Sequence, residues 1–153
     1  MSPTEPEGAV GKLKVLFLCT GNSCRSQMAE GWARHLLADR VEAYSAGIEA
    51  HGLNPTAVRV MAEAGVDIGG QRSKTVADVA GLGLDVVVTV CGHAEETCPA
   101  FPGAVRRLHA GFDDPPKLAA GERDPERALE PYRRVRDELR QFVAELPERL
   151  ARG

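Results

Sequence analysis

At 153 residues and a formal net charge of −3, the chain has room for one domain with a sizeable core and too little for two. Nearly balanced charge gives no electrostatic support to a nucleic-acid role, and no apolar run reaches the length of a membrane span. The opening stretch MSPTEPEGAV has neither the basic nor the apolar part of a secretory signal, so a cytoplasmic protein with reduced thiols is expected.

Residues 1–11, rich in Pro, Glu and Gly, read as a disordered tail, and 12–153 as a single domain. LKVLFLC (13–19) is short and apolar, the signature of a strand buried on both faces. SQMAEGWARHLLADR (26–40) places Met28, Trp32, Leu36 and Leu37 near helical spacing and predicts an amphipathic helix capped by Ser26. VEAYSAG (41–47) predicts a second strand. A helix follows, with Asn54 as cap, Pro55 at its first position and Gly65 as its stop. SKTVADVAG predicts a short helix, LDVVVTVC (84–91) the third strand and GAVRRLHA (103–110) a fourth. The last helix begins after Asp124 and Pro125, with Pro131 placed to kink it or delay its start. The order β-α-β-α-β-β-α predicts an α/β fold of three layers, α/β/α, on a four-stranded, mainly parallel sheet.

In open parallel sheets ligands gather beyond the carboxyl ends of the strands, and Cys19 stands at such an end. The loop after it runs Thr20, Gly21, Asn22, Ser23, Cys24, Arg25 and enters a helix at Ser26. Gly21 and Asn22 tolerate the left-handed backbone of a tight loop, and successive amides in such a loop form an anion nest. The helix adds the positive end of its dipole, and Arg25 a planar fork for two oxygens. Donors that bind an anion also stabilise a thiolate, and Ser26 is placed to donate to sulfur. The pattern therefore predicts that Cys19 is a nucleophile at the floor of a cup for a tetrahedral oxyanion. No cysteine spacing matches a paired zinc-ligand set, so no metal is expected.

Cys19 to Ser26, with Asp114-Pro115 in FDDPPK, resembles the low-molecular-weight protein tyrosine phosphatase family, with its C-x5-R-S signature and late Asp-Pro acid loop. The resemblance spans 12–150 and implies the phosphatase fold, with Asp114 as the general acid. Pro115 restricts Asp114 to an extended backbone, which favours it over Asp113.

TVCGHAEETCPAF (89–101) adds a feature a phosphatase does not need. Cys91 ends the third strand at the same sheet edge as Cys19, and Cys98 follows seven residues later. If the stretch between them is helical, the two lie on one face about 10 Å apart along the axis. A disulfide requires Cα atoms within about 7 Å, so that helix must unwind or loop out before the pair can close.

With Cys19, Cys24, Cys91 and Cys98 together, CTGNSCRSQMAEGW and YSAGIEAHGLNP are similar to the thioredoxin-coupled arsenate reductases of the phosphatase-like type. The resemblance implies that Cys19 attacks arsenate, that Cys91 displaces arsenite from it, and that Cys98 draws the disulfide outward for thioredoxin. It implies arsenate detoxification by a monomer with no bound cofactor; the alternative is a phosphotyrosine phosphatase, although DPPKLAAG lacks aromatic walls for a substrate ring. Some relatives hold potassium beside the loop. Asn22 and Glu30 match that pattern, but Arg72 and Lys74 stand where the remaining ligands would, and Lys74 paired with Glu30 is expected to replace the ion. His35, His51, His93 and His109 carry no distinct signal of their own.

Overall fold

The computed structural model describes residues 12–98 and 105–152, so the tail expected over 1–11 lies outside the described residues. Strand β1 (Leu13–Cys19) is paired along its length with β2 (Val41–Gly47) and on its other side with β3 (Val86–Thr89). Beyond β3 lies β4 (Arg106–His109), giving the order β2-β1-β3-β4. Every neighbouring pair is parallel, so the sheet is wholly rather than mainly parallel. The β-branched and apolar runs explain this: Val15 to Cys19 and Val86 to Thr89 are buried throughout, as strands covered on both faces must be. Strand β4, expected over 103–110, spans four residues; 103 and 104 lie outside the described residues.

Helix α1 (Arg25–Leu36) crosses from β1 to β2 and is shorter than the predicted 26–40. Buried Leu37 ends it, and Arg40 N–H then bonds back to Leu37 to turn the chain into β2. Helix α2 (Pro55–Glu63) has the expected cap, with Asn54 Oδ1 accepting from Thr56 and Ala57 N–H, and Gly65 past its end has φ +85°. The short helix α3 (Val76–Val79) carries a capping box between Thr75 and Asp78. Helix α4 (Gly92–Thr97) follows β3 directly.

Helix α5 (Pro115–Ala119) was not predicted, although Asp114 followed by Pro115 at the first helical position is a start signal. Helix α6 (Pro125–Arg152) begins where expected and runs unbroken through Pro131. The missing ladder bond there is offset by Leu129 and Tyr132, which bury the same apolar stripe on either side. That stripe packs α6 on α1 and α2, and Trp32 Nε1 of α1 donates to the Arg136 carbonyl at 3.0 Å.

The chain leaves β1 toward β2 on one side and returns to β3 on the other. The carboxyl ends of β1 and β3 therefore flank the topological switch point, where an open α/β sheet places its ligand. Those ends carry Cys19 and, two residues past Thr89, Cys91.

Candidate active site

Segment 48–54 runs alongside the loop after β1 and binds its outer face. The carbonyls of Cys19, Thr20, Gly21 and Ser23 accept from the N–H groups of Ile48, Glu49, His51 and Asn54 at 2.9–3.1 Å. The remaining carbonyl, of Asn22, accepts from Gln27 Nε2 at 3.0 Å. In a trans peptide the next N–H points opposite to the carbonyl. With five successive carbonyls turned out, the amides of residues 20–24 are turned in, and the loop is a nest for an anion.

Asn22 takes the left-handed turn, at φ 47°, and is fully buried. Its side chain accepts from Lys74 N–H at 2.7 Å and donates to Ser26 Oγ at 2.9 Å, which locks the strained residue in place. Gly21 serves otherwise than expected: the His51 ring occupies the space of a side chain, and a Cβ there would lie 2.3 Å from Nδ1.

Cys19 Sγ lies at the floor, 3% of the residue exposed, with Ser26 Oγ 2.9 Å away. Ser26 is therefore not the helix cap. Cys24 occupies that position without a side-chain capping bond, because the Ser26 hydroxyl is committed inward to Cys19 and Asn22. Cys24 is buried against the same cup. Burial above all, with the charges of Asp114 and Cys19, raises its pKa well above the ordinary thiol range, so it stays protonated.

Arg25 closes one wall. Its Nη1 donates to the Phe112 carbonyl at 3.0 Å, and its Nη2 is 3.7 Å from Asp114 Oδ1. Asp113 turns the other way, onto Arg134 of α6 at 2.9 Å, so of the two acids only Asp114 faces the cup. The resulting cavity, about 400 Å³, is lined by Cys19, Thr20, Gly21, Ser23, Cys24, Arg25, His51, Asn54, Asp114 and Pro116. His51, Asn54 and Pro116 escaped sequence reasoning because segment 48–54 and α5 reach the loop only through tertiary packing. A larger hollow of about 550 Å³, between Glu30, Arg34 and Lys74, contains none of the cup residues.

Cys91 stands beside the cup. Its Sγ is 3.4 Å from Thr20 Oγ1 and accepts from Ala94 N–H at 3.4 Å, so the thiol itself caps α4. Cys98 ends the same helix and is half-buried; burial raises its pKa, and Arg107 opposes that shift. None of the four cysteines is in a disulfide. The stretch between Cys91 and Cys98 is helical, which is the condition under which their spacing keeps the pair from closing.

Behind the loop, Glu30 is 2% exposed and accepts from Ser45 at 2.5 Å. Arg34 is its nearer cation, at 2.7 Å, and Lys74 Nζ lies 4.0 Å away while donating to the Arg72 carbonyl. Two cations at one carboxylate do not suit a bound potassium ion. Among the described residues no group of three or more His, Cys, Asp or Glu side chains is arranged to hold a metal ion.

A thiol ringed by inward amides, a hydroxyl and an arginine, set at the switch point of a parallel sheet, defines a class of oxyanion-handling proteins. The profile of low molecular weight phosphotyrosine protein phosphatase matches residues 14–153, and the chain belongs to that family. Within it, the chain is 53% identical over 130 residues to an arsenate reductase of Halalkalibacterium halodurans, covering 85% of this chain and 91% of that one. A solved arsenate reductase in the oxidized state superposes with a TM-score of 0.71 at 33% identity, over 87% of this chain and 95% of the other. A low molecular weight protein tyrosine phosphatase from T. tengcongensis also superposes at 0.71, with 29% identity, over 90% and 99%.

Proposed function

We propose that this chain reduces arsenate to arsenite through a relay of three thiols, and that thioredoxin reduces the final disulfide. Cys19 attacks arsenate, an As–S bond forms, and an oxygen leaves as water after protonation by Asp114. Cys91 then attacks Cys19 Sγ. The As–S bond breaks with its electron pair going to arsenic, which falls from As(V) to As(III), while the two thiols become a Cys19–Cys91 disulfide. Cys98 attacks Cys91, Cys19 leaves as a thiolate, and the Cys91–Cys98 disulfide passes its oxidation to a thioredoxin dithiol.

The observation that carries this reading is the place of Cys91. Its sulfur reaches the hydroxyl of the residue next to Cys19, and a second thiol ends the same short helix. A phosphatase uses the cup alone, because a phosphoryl adduct cannot accept two electrons and waits for water. Pro116, rather than an aromatic side chain, follows the acid on the cup wall, which also disfavours an aryl phosphate. The relatives named arsenate reductase support the same reading. The proposal includes a monomer working in the cytoplasm, where the thiols are kept reduced. No helix among the described residues is long and apolar enough to cross a membrane.

The test is a coupled assay. Purified protein with arsenate, thioredoxin, thioredoxin reductase and NADPH oxidises NADPH, and Cys91→Ser abolishes turnover. Turnover that survives Cys91→Ser contradicts the relay. Turnover with glutaredoxin or mycoredoxin but not thioredoxin reassigns the partner and leaves the chemistry standing.

A further inference from the structure

Phe112 lies where three parts of the site meet and is bound to each. Its N–H donates to the Val90 carbonyl at 3.0 Å, and Val90 is the residue before Cys91. Its carbonyl accepts from Arg25 Nη1 at 3.0 Å. Its ring meets that of Phe142 edge to face, with centroids 5.7 Å apart at 69°. Phe142 belongs to α6, is 5% exposed, and carries the Arg149 guanidinium 5.2 Å above its ring. Two residues beyond Phe112 stands Asp114.

We propose that Phe112 is a positioning residue that registers Arg25, Asp114 and the strand end bearing Cys91 to one another. The proposal rests on the reductase reading above. Hydrogen bonds at the Phe112 backbone fix where the loop passes, and the ion pair of Asp113 with Arg134 ties the following residue to α6 from the exposed side. The ring on Phe142 adds a buried attachment to α6 at Phe112 itself, and it fixes the orientation of the peptide that holds Arg25. Arg25 has five N–H donors in one rigid plane. Holding one of them on the Phe112 carbonyl orients the whole fork, so the others face an oxyanion in the cup. The same anchorage sets Asp114 beside Arg25, and the bond to Val90 keeps β3 fixed up to Cys91 while α4 unwinds. If the ring only filled space, its loss would lower stability without altering how the cup holds an anion. If it positions the loop, anion binding and chemistry fail while Cys19 stays as reactive as before, because Phe112 is not among the residues that line the cup around Cys19.

The experiment uses the full reduced chain as wild type, Phe112→Ala, Phe112→Leu and Phe142→Ala. Peptide-resolved mass spectrometry follows alkylation of Cys19 by iodoacetamide at rising inorganic phosphate, and single-turnover arsenite release is measured without thioredoxin. In Phe112→Ala the single-turnover rate falls about tenfold to a hundredfold, the scale expected of an ångström-level misplacement. Phosphate protection weakens about fivefold or more, and alkylation without phosphate stays within about twofold. Phe112→Leu recovers most of the loss, and Phe142→Ala, which leaves the loop sequence intact, reproduces it should Phe112→Ala not fold. Unchanged phosphate protection and turnover in a folded Phe142→Ala or Phe112→Ala overturn the proposal, and so does a fall in bare alkylation that matches the fall in rate. Wild type that phosphate protects but that releases no arsenite refutes the reductase reading, while the phosphate data still decide whether Phe112 positions Arg25. Wild type that phosphate does not protect overturns both.

Discussion

The sulfur of Cys91 lies 3.4 Å from the hydroxyl of Thr20, the residue that follows Cys19. The pairing of β1 with β3 produces this approach: Leu18 is in register with Thr89, and Val90 N–H bonds to the Leu18 carbonyl at 2.9 Å. Two thiols some seventy residues apart in sequence are thereby brought to one rim, with a hydroxyl between the second thiol and the loop. Thr20→Val removes that hydroxyl at nearly constant volume. The expected outcome is arsenate binding close to wild type and Cys19–Cys91 disulfide formation slowed about fivefold, the equivalent of one modest hydrogen bond. Quench-flow with thiol trapping separates the two steps.

Ser26 is the second lever. Its hydroxyl serves Cys19 Sγ and accepts from Asn22 Nδ2, and both residues are fully buried. Ser26→Ala leaves the Asn22 amide short of an acceptor in a dry site. Urea unfolding is expected to show a loss of about 1–3 kcal/mol. Arsenite release should fall together with the stability, whereas Ser26→Thr, which keeps the hydroxyl, should lose less.

The last exchange should respond to pH through Cys98. Burial raises its pKa and Arg107 lowers it, with burial dominant, so the thiol form is favoured at neutral pH. Only the thiolate attacks Cys91, and the rate of Cys91–Cys98 bond formation therefore climbs as pH rises through the ordinary thiol range and beyond it. Arg107→Ala removes the opposing cation, moves the rise to still higher pH and slows the step at neutral pH. Stopped-flow measurement of disulfide transfer across pH checks the sign.

Around Glu30 the expected outcome concerns salt. Arg34 and Lys74 already balance this buried carboxylate, so equal concentrations of potassium and sodium chloride should give equal turnover and equal unfolding midpoints. In urea unfolding Lys74→Met should cost less than Arg34→Met, because the ammonium stands 4.0 Å from the carboxylate and the Arg34 guanidinium 2.7 Å. A strong, specific gain with potassium contradicts this account.

Much of this site could be read before folding because its residues are consecutive. Cys19 to Ser26 states strand end, loop, cation and helix start in eight letters, and the nest follows from local backbone geometry. Asn54, Pro55 and Gly65 likewise carry their own start and stop signals. The unread parts depend on the third dimension. His51 enters the cup wall through the lacing of 48–54 onto the loop, and Phe112 acquires its place by meeting Phe142 thirty residues later. Ser26 meets the Cys19 sulfur as its spacing suggests but is not the helix cap, because capping is a local preference, whereas buried partners at Cys19 and Asn22 claimed its hydroxyl. Pro131 does not delay the start of α6, since the apolar stripe of that helix outweighed one missing hydrogen bond.

The central claim is that oxidation travels from Cys19 through Cys91 to Cys98, and disulfide mapping tests it most directly. Reduced protein is treated with one equivalent of arsenate, quenched with acid and alkylating agent, digested and sequenced by mass spectrometry. The account predicts arsenite in solution, a Cys91–Cys98 bridge as the final product in wild type, and a trapped Cys19–Cys91 bridge in Cys98→Ser. Arsenite formed with Cys91 and Cys98 still carrying the alkylating agent would contradict it.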